Sequence, residues 1–274
     1  MKKYIVLIGI FQFVLSGFIV AQWTPINSGL GSHNPTSMYG WYGIDAVWLG
    51  NTGGGVFRTT DNGDNWININ GDMANLNVND IRPFGTGTSM FVATEGGPFF
   101  TMDEITYTNV TSTGLTNTDI NYFGIGGHNP EIYAIGTNGG GVFWGDDWAG
   151  PWIAVSNGLS GNSLIVNDLH YDSDNNVSYV AIATDDGVFF ADSTLNPWTQ
   201  KINGLSGVAL LVKKITGLGS VNFIATHGGL FRSTDLGDNW VPMIPIQKFN
   251  TVAIIQSAVS PIGLAVLAFG VSGY

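Results

Sequence analysis

The chain holds 20 Asp and Glu, 4 His and no Cys, so any reactive chemistry rests on carboxylates. Two short motifs that carry them are near copies, "ATEGG" with Glu95 and "ATDDG" with Asp185 and Asp186. Two carboxyl groups facing each other across a groove can serve as acid and base, or acid and nucleophile, in glycoside cleavage. Carboxylates such as Glu95, Asp185 and Asp186 could make such a pair if the fold brings them together. The bland reading is that turns favour Asp, Asn and Gly for their backbone habits. A third copy, "ATHGG", puts His227 at the same place as a polar tip for ligand binding.

Other chemistries find little support. Without Cys there are no disulfides and no thiolate metal site, and the His residues at 33, 128, 170 and 227 share no close ligand spacing. The run "DSDNN" (172–176) spaces Asp172, Asp174 and Asn176 like the start of a Ca²⁺ loop. Val177 and Ala183 stand where such a loop needs its Gly and its final Glu, so a plain hairpin turn is expected. No nucleophile elbow occurs. The Gly clusters precede strands rather than helices, which leaves phosphate without a helix N-terminus to bind. Neither metal nor cofactor is expected.

The elements that must position these residues are repeats. Five segments follow one plan of apolar strand, Gly-rich turn and Phe-bearing strand: "AVWLGNTGGGVFRTT", "MFVATEGGPFFTM", "IYAIGTNGGGVFWGD", "YVAIATDDGVFFAD" and "NFIATHGGLFRST". Their aligned Phe residues are 57, 99, 143, 189 and 231, which gives a period just above 40 residues. Each is followed by a short strand led by an aromatic, as in "WININ" and "WVPMI", and then by one more apolar stretch such as "VNDIRPF". Four short strands per period, with no helical periodicity, predict the blades of an all-β propeller. In such a blade the second-to-third-strand turn, which carries Glu95, Asp185, Asp186 and His227, opens on the face where ligands collect.

One turn recurs almost letter for letter: "TTDNGDNW" (59–66) and "STDLGDNW" (233–240). The pattern Ser/Thr-x-Asp-x-Gly-x-x-Trp resembles the Asp-box, or bacterial neuraminidase repeat, of sialidases, xyloglucan-active endoglucanases and sortilin ectodomains. The matching residues are Thr59, Asp61, Gly63 and Trp66, and again Ser233, Asp235, Gly237 and Trp240. The resemblance implies a β-propeller with these turns between the third and fourth strands, at the periphery and away from the active face. Their role is then structural: Asp accepts backbone N–H bonds, Gly takes a positive φ and Trp fills the space between blades. Blade 2 keeps Thr101 and Asp103 but has Ile105 for Gly; blade 3 keeps Asp147 and Trp152, and blade 4 only Trp198. By the same resemblance, carried in "ATEGG" and "ATDDG", a catalytic Asp of the endoglucanases occupies just such a turn, which implies Asp185 or Asp186, and Glu95, as the catalytic candidates. Sialidases bind their substrate carboxylate with three arginines, whereas this chain has only Arg58, Arg82 and Arg232. Arg58 and Arg232 sit just before the repeated turns, so a sialidase triad is not expected.

The start, "MKKYIVLIGIFQFVLSGFIVAQ", has two Lys, an apolar run and Ala21, the layout of a signal peptide over residues 1–21. An uncleaved anchor is the rival reading. The expected mature propeller, 22–274, has 7 basic and 20 acidic residues, 9 − 2 and 20 in the full count, for a net charge of −13. Such a surface repels phosphate backbones, so nucleic acid is not an expected partner. "WTPINSGL" (23–30) reads as an outer strand that completes another blade, and "TVAIIQSAVS" with "GLAVLAFG" as the first half of a sixth. The apolar run 252–271 is divided by Pro261 and Gly263, which favours two strands over a membrane helix. The arrangement predicts at least six blades, five and a half of them in this chain, with the C-terminal part cut short. In "MYGWYG" (38–43), Tyr39, Trp41 and Tyr42 offer either a sugar platform or core filling. The expectation is a secreted, periplasmic or cell-surface module that binds carbohydrate or a protein surface, with a glycoside hydrolase as the alternative.

Overall fold

The computed structural model describes residues 28–31, 34–40, 45–85, 87–126, 132–174, 177–192, 197–245, 249–255 and 265–270. Residues 1–21, expected as a signal peptide, and Trp41 and Tyr42 lie outside them, as do residues 23–27 of the expected first outer strand. The described chain is all-β, and its sheets are β-propeller blades: five four-stranded antiparallel sheets, each in sequential strand order. It divides into two compact units, residues 1–109 and 110–274.

The first unit holds blades 1 and 2. Blade 1 is β1 (Asn34–Gly40), β2 (Val47–Thr52), β3 (Gly55–Thr59) and β4 (Ile67–Asn68); blade 2 is β5 (Val78–Phe84), β6 (Ser89–Thr94), β7 (Gly97–Thr101) and β8 (Thr108–Asn109). The second unit begins with blade 3, β9 (Ile120–Gly126), β10 (Ile132–Thr137), β11 (Val142–Gly145) and β12 (Ile153–Ala154). Blade 4 is β13 (Val166–Asp174), β14 (Val177–Thr184), β15 (Gly187–Ala191) and β16 (Thr199–Gln200). Blade 5 is β17 (Val212–Leu218), β18 (Val221–Thr226), β19 (Gly229–Ser233) and β20 (Val241–Pro245). Then β21 (Phe249–Ile255) pairs antiparallel with β22 (Ala265–Gly270), where the first two strands of a sixth blade were expected. Among the described residues no helix is long and apolar enough to cross a membrane.

The middle strands are buried on both faces, as β6 and β7 show, so they read as apolar runs rather than alternating ones. The core lies between neighbouring blades. In the first unit Trp48 and Val56 of blade 1 pack against Val78, Ile81 and Met90 of blade 2. In the second, Tyr122 and Val142 meet Leu169 and Ile182 of blade 4, whose other face packs Ala181 and Val188 against Ile215 and Ile224 of blade 5. Each such side chain, fully buried, stabilises by about 1.5–3 kcal/mol.

Polar groups tie the innermost strands. A register shift after the leading residue, seen between Val78 and Asp80, Val166 and Asp168, and Val212 and Lys214, bends each strand there. Consecutive side chains can then reach the next blade. Asn167 Nδ2 donates to the Val212 carbonyl at 2.7 Å while Asp168 Oδ2 accepts the Ile215 N–H at 3.0 Å. Thr36 and Asn121 make the first of these bonds to Val78 and Val166 at 2.7 and 3.0 Å.

A second tie binds the outer strands of blades 1, 3, 4 and 5 to an earlier segment of the chain. The backbone N–H groups of Trp66, Trp152, Trp198 and Trp240 donate to the carbonyls of Ser28, Thr113, Asn157 and Asn203, each at 2.9 Å. The next residue is always glycine (29, 114, 158, 204) with φ between +90° and +99°. A Cβ there would sit 1.8–2.3 Å from the Trp carbonyl oxygen, so only glycine fits. The indole N–H of Trp152, Trp198 and Trp240 donates to the carbonyls of Val110, Val155 and Lys201 at 3.1, 2.6 and 3.0 Å. In blade 2 the Tyr107 hydroxyl does the same to the Ile69 carbonyl at 2.8 Å. Burial, and then the Glu104 charge, pushes that phenol's pKa up.

Candidate ligand-binding face

The turns between second and third strands share one scaffold. In blades 2 to 5 a buried threonine ends the second strand, and its hydroxyl donates across the turn to a glycine carbonyl. The bonds are Thr94 to Gly97 at 2.7 Å, and Thr137 to Gly141, Thr184 to Gly187 and Thr226 to Gly229, all at 2.9 Å. The next residue is the turn tip: Glu95, Asn138, Asp185 or His227. Its N–H donates to the residue just before the innermost strand of its own blade, respectively Asn77, Asp119, Ile165 and Leu211. This fixes the backbone of every tip and leaves its side chain to local chemistry.

In blade 2 Glu95 is exposed, and its carboxylate accepts the Asn77 amide at 2.7 Å. Blade 3 makes the same bond with the partners exchanged, Asn138 Nδ2 donating to the Asp119 carboxylate at 2.8 Å. In blade 4 the residue before the strand is Ile165, and Asp185 turns elsewhere. Its carboxylate accepts Asn167 Nδ2 at 2.8 Å and Lys213 Nζ, from the innermost strand of blade 5, at 2.5 Å. Asp186, half-buried beside it, donates its N–H to the Thr184 hydroxyl at 3.1 Å, and its carbonyl accepts the Gln200 amide at 2.8 Å. His227 is half-buried at the blade 5 tip. Asp185, Asp186 and Lys213 thus come together at the blade 4–5 boundary, while Glu95 belongs to the first unit. Tyr39 stands on β1 opposite Trp48, half-buried against the core. Asp172, from the motif weighed as a Ca²⁺ loop, accepts the Gly219 N–H at 2.6 Å, and β13 and β14 form the expected hairpin. Among the described residues no group of three or more His, Asp or Glu could hold a metal.

The repeated Ser/Thr-x-Asp turns lie at the other end of the blades, between third and fourth strands. The Thr59 hydroxyl donates to Asp61 Oδ1 at 2.7 Å and accepts the Gly63 N–H at 3.0 Å. Asp61 also accepts the Asn65 backbone and side-chain N–H groups at 2.9 and 2.8 Å. Ser233, Asp235, Gly237 and Asn239 repeat every one of these bonds within 0.2 Å. The Asn65 and Asn239 donors, with the Thr59 and Ser233 hydroxyls, hold both carboxyls at a pKa of about 2. Blade 2 keeps a shorter version: Asp103 accepts the Ile105 and Thr106 N–H groups, which lowers its pKa. The bonds of these turns close within the turn itself.

Sequence reasoning passed over three features. Glu104, buried with φ +60°, accepts the Trp48 indole N–H at 3.0 Å and pairs with Arg58, which locks blade 2 to blade 1. Lys201 reaches from blade 4 to the Leu236 carbonyl and to Asp238, both at 2.8 Å, across the Phe190 ring. Lys213 is the third; its signal was the break from Asn79, Asn121 and Asn167 at the matching position of "VKK".

No protein-family model and no curated protein sequence matches the chain. Solved structures do. An ancestral GH74 enzyme matches at 17% identity and TM-score 0.66, over 90% of this chain and 37% of its own. YCF48 bound to D1 peptide matches at 16% and 0.59, over 90% and 80%. The extracellular domain of the hybrid two-component system BT3049 from B. thetaiotaomicron matches at 17% and 0.59, over 79% and 30%. The chain thus spans little more than a third of the length of that GH74 enzyme. At these identities the likeness establishes the propeller fold.

Proposed function

We propose that the chain is an exported Asp-box β-propeller that works as a binding or scaffolding module for a carbohydrate or protein ligand. One observation carries this reading: the carboxylates at the ligand-face tips have partners. Asp185 is neutralised by Lys213 and bonded by Asn167, and Glu95 is held by Asn77 of its own blade. A glycosidase needs one carboxyl free to give a proton and another free to attack or to activate water. Here two of the three candidates are engaged by neighbouring side chains instead. The self-contained Thr59–Asp61 and Ser233–Asp235 turns support the Asp-box assignment. The propeller neighbours accommodate both roles, since one is a GH74 enzyme and another is bound to a peptide.

The test is to run the purified protein through gels cast with xyloglucan and other soluble glucans, and to follow reducing-end release in parallel. Retarded migration without release, or retention of a protein ligand, supports a binding module. Release that disappears in Glu95→Gln or Asp185→Asn would establish the hydrolase instead.

A further inference from the structure

In a repeat protein, neighbouring copies show what the scaffold requires, and departures from the repeat mark what it does not. At the ligand face the departures collect on blades 4 and 5. The residue before the innermost strand is polar in blades 2 and 3, where Asn77 and Asp119 bond their tips. In blades 4 and 5 it is Ile165 and Leu211, each left partly exposed beside its tip. Just before the glycine that closes the turn, blades 2, 3 and 5 use Gly96, Gly140 and Gly228, where a Cβ would strike Asn75, Asn117 or Ala209 at 2.4–2.8 Å. Blade 4 has Asp186 there. On the innermost strand Asn121 and Asn167 reach forward to the next blade, whereas Lys213 reaches back to Asp185.

We infer that Ile165, Leu211, Asp186 and the Lys213–Asp185 pair form a recognition site for an extended peptide carrying an aliphatic and a basic side chain. The inference rests on the binding-module reading and names its ligand. Ile165 and Leu211 supply an aliphatic floor in place of a polar tie. No described aromatic takes part in this group, so it lacks the stacking surface that a sugar ring would use. Asp185 is already neutralised by Lys213, which leaves Asp186 to receive the cation. The formal net charge of −11 draws a basic segment to the surface. The fixed Lys213–Asp185 pair offers one donor and one acceptor to the peptide backbone or to a polar side chain.

The experiment uses the full chain and fluorescein-labelled synthetic decapeptides in which Leu alternates with Lys, Glu or Ser, read by anisotropy. Binding of the Leu/Lys peptide above its Leu/Glu and Ser/Lys counterparts is expected. The decisive variant is Ile165→Asn with Leu211→Asn, which copies the Asn77 arrangement and keeps the net charge, so simple charge attraction is unchanged. It should weaken Leu/Lys binding by at least about tenfold while leaving the unfolding midpoint near that of the parent. Asp186→Asn should weaken it roughly three- to fivefold and flatten its salt dependence. Equal binding by parent and double variant would overturn the inference. So would retention on glucan gels with no peptide preference, a result that leaves the binding-module reading standing. Glucan cleavage would overturn both.

Discussion

The glycine that follows each Trp-bonded carbonyl can be tested by a matched pair in one connection, Gly158→Ala against Gly161→Ala. Both glycines have positive φ, +98° and +55°. A Cβ at Gly161 meets nothing within 4 Å, so its substitution costs only the left-handed backbone, about 1–2 kcal/mol. At Gly158 the same atom would stand 2.3 Å from the Trp198 carbonyl oxygen and 3.2 Å from its nitrogen. Both are backbone atoms, and that nitrogen donates to Asn157, so relief requires moving the outer strand away from its tie. Such overpacking adds about 1–3 kcal/mol. For a domain of this size each kcal/mol lowers the melting temperature by roughly 2–4 °C. The Gly158 variant should therefore melt about 4–8 °C below the Gly161 variant, taking the middle of that range. Thermal unfolding followed by Trp fluorescence reads the difference. Equal melting temperatures would refute the argument that contact with the Trp backbone, rather than backbone conformation alone, dictates this glycine.

Further outcomes follow from the polar ties. Glu104→Leu leaves the Arg58 guanidinium partly buried without its carboxylate and should cost about 3–5 kcal/mol. Adding Arg58→Leu should restore part of that loss, as a double-mutant cycle in urea would measure. Asp61 and Asp235 have folded pKa values of about 2, below the ordinary 3.8, so their contribution is complete above the unfolded value. It is lost as pH falls from about 4 towards 2. The variant with Asp61→Asn and Asp235→Asn should show a shallower fall in unfolding midpoint across that window than the parent. Trp240→Phe keeps only a six-membered ring of the buried indole and strands the Lys201 carbonyl, and should cost at least about 1–3 kcal/mol in the same urea assay.

Much of the architecture was legible because its marks are local. Phe57, Phe99, Phe143, Phe189 and Phe231 recur at blade spacing and fall on β3, β7, β11, β15 and β19. The Ser/Thr-x-Asp turn is readable because all its bonds close within a few residues. The glycine of "SGL", "TGL" and "NGL" was visible as a repeat, but its reason lies some 40 residues on, at a Trp carbonyl. Glu95, Asp185, Asp186 and His227 fall on turns between second and third strands, yet the state of Asp185 could not be read from "ATDDG". It depends on Lys213, which is 28 residues away and on another blade. Glu95 is likewise set by Asn77, 18 residues earlier and outside its motif. Periodic features show themselves in a single sequence, whereas a site made of departures from the period needs the blades superimposed.

The aromatic ties all point one way along the chain. Tyr107, Trp152, Trp198 and Trp240 each donate to a carbonyl 38 to 43 residues earlier. A polypeptide leaves the ribosome or a translocation channel from its N-terminus, so the acceptor of every tie is made before its donor. Each of these outer strands therefore emerges after the carbonyl that its aromatic will bond. The outer strand just completed finds its own acceptor already made, whereas Trp48 and Tyr179, on the second strands of blades 1 and 4, find theirs later, at Glu104 and Asn222. These outer strands can then be tied in the order in which they are synthesised.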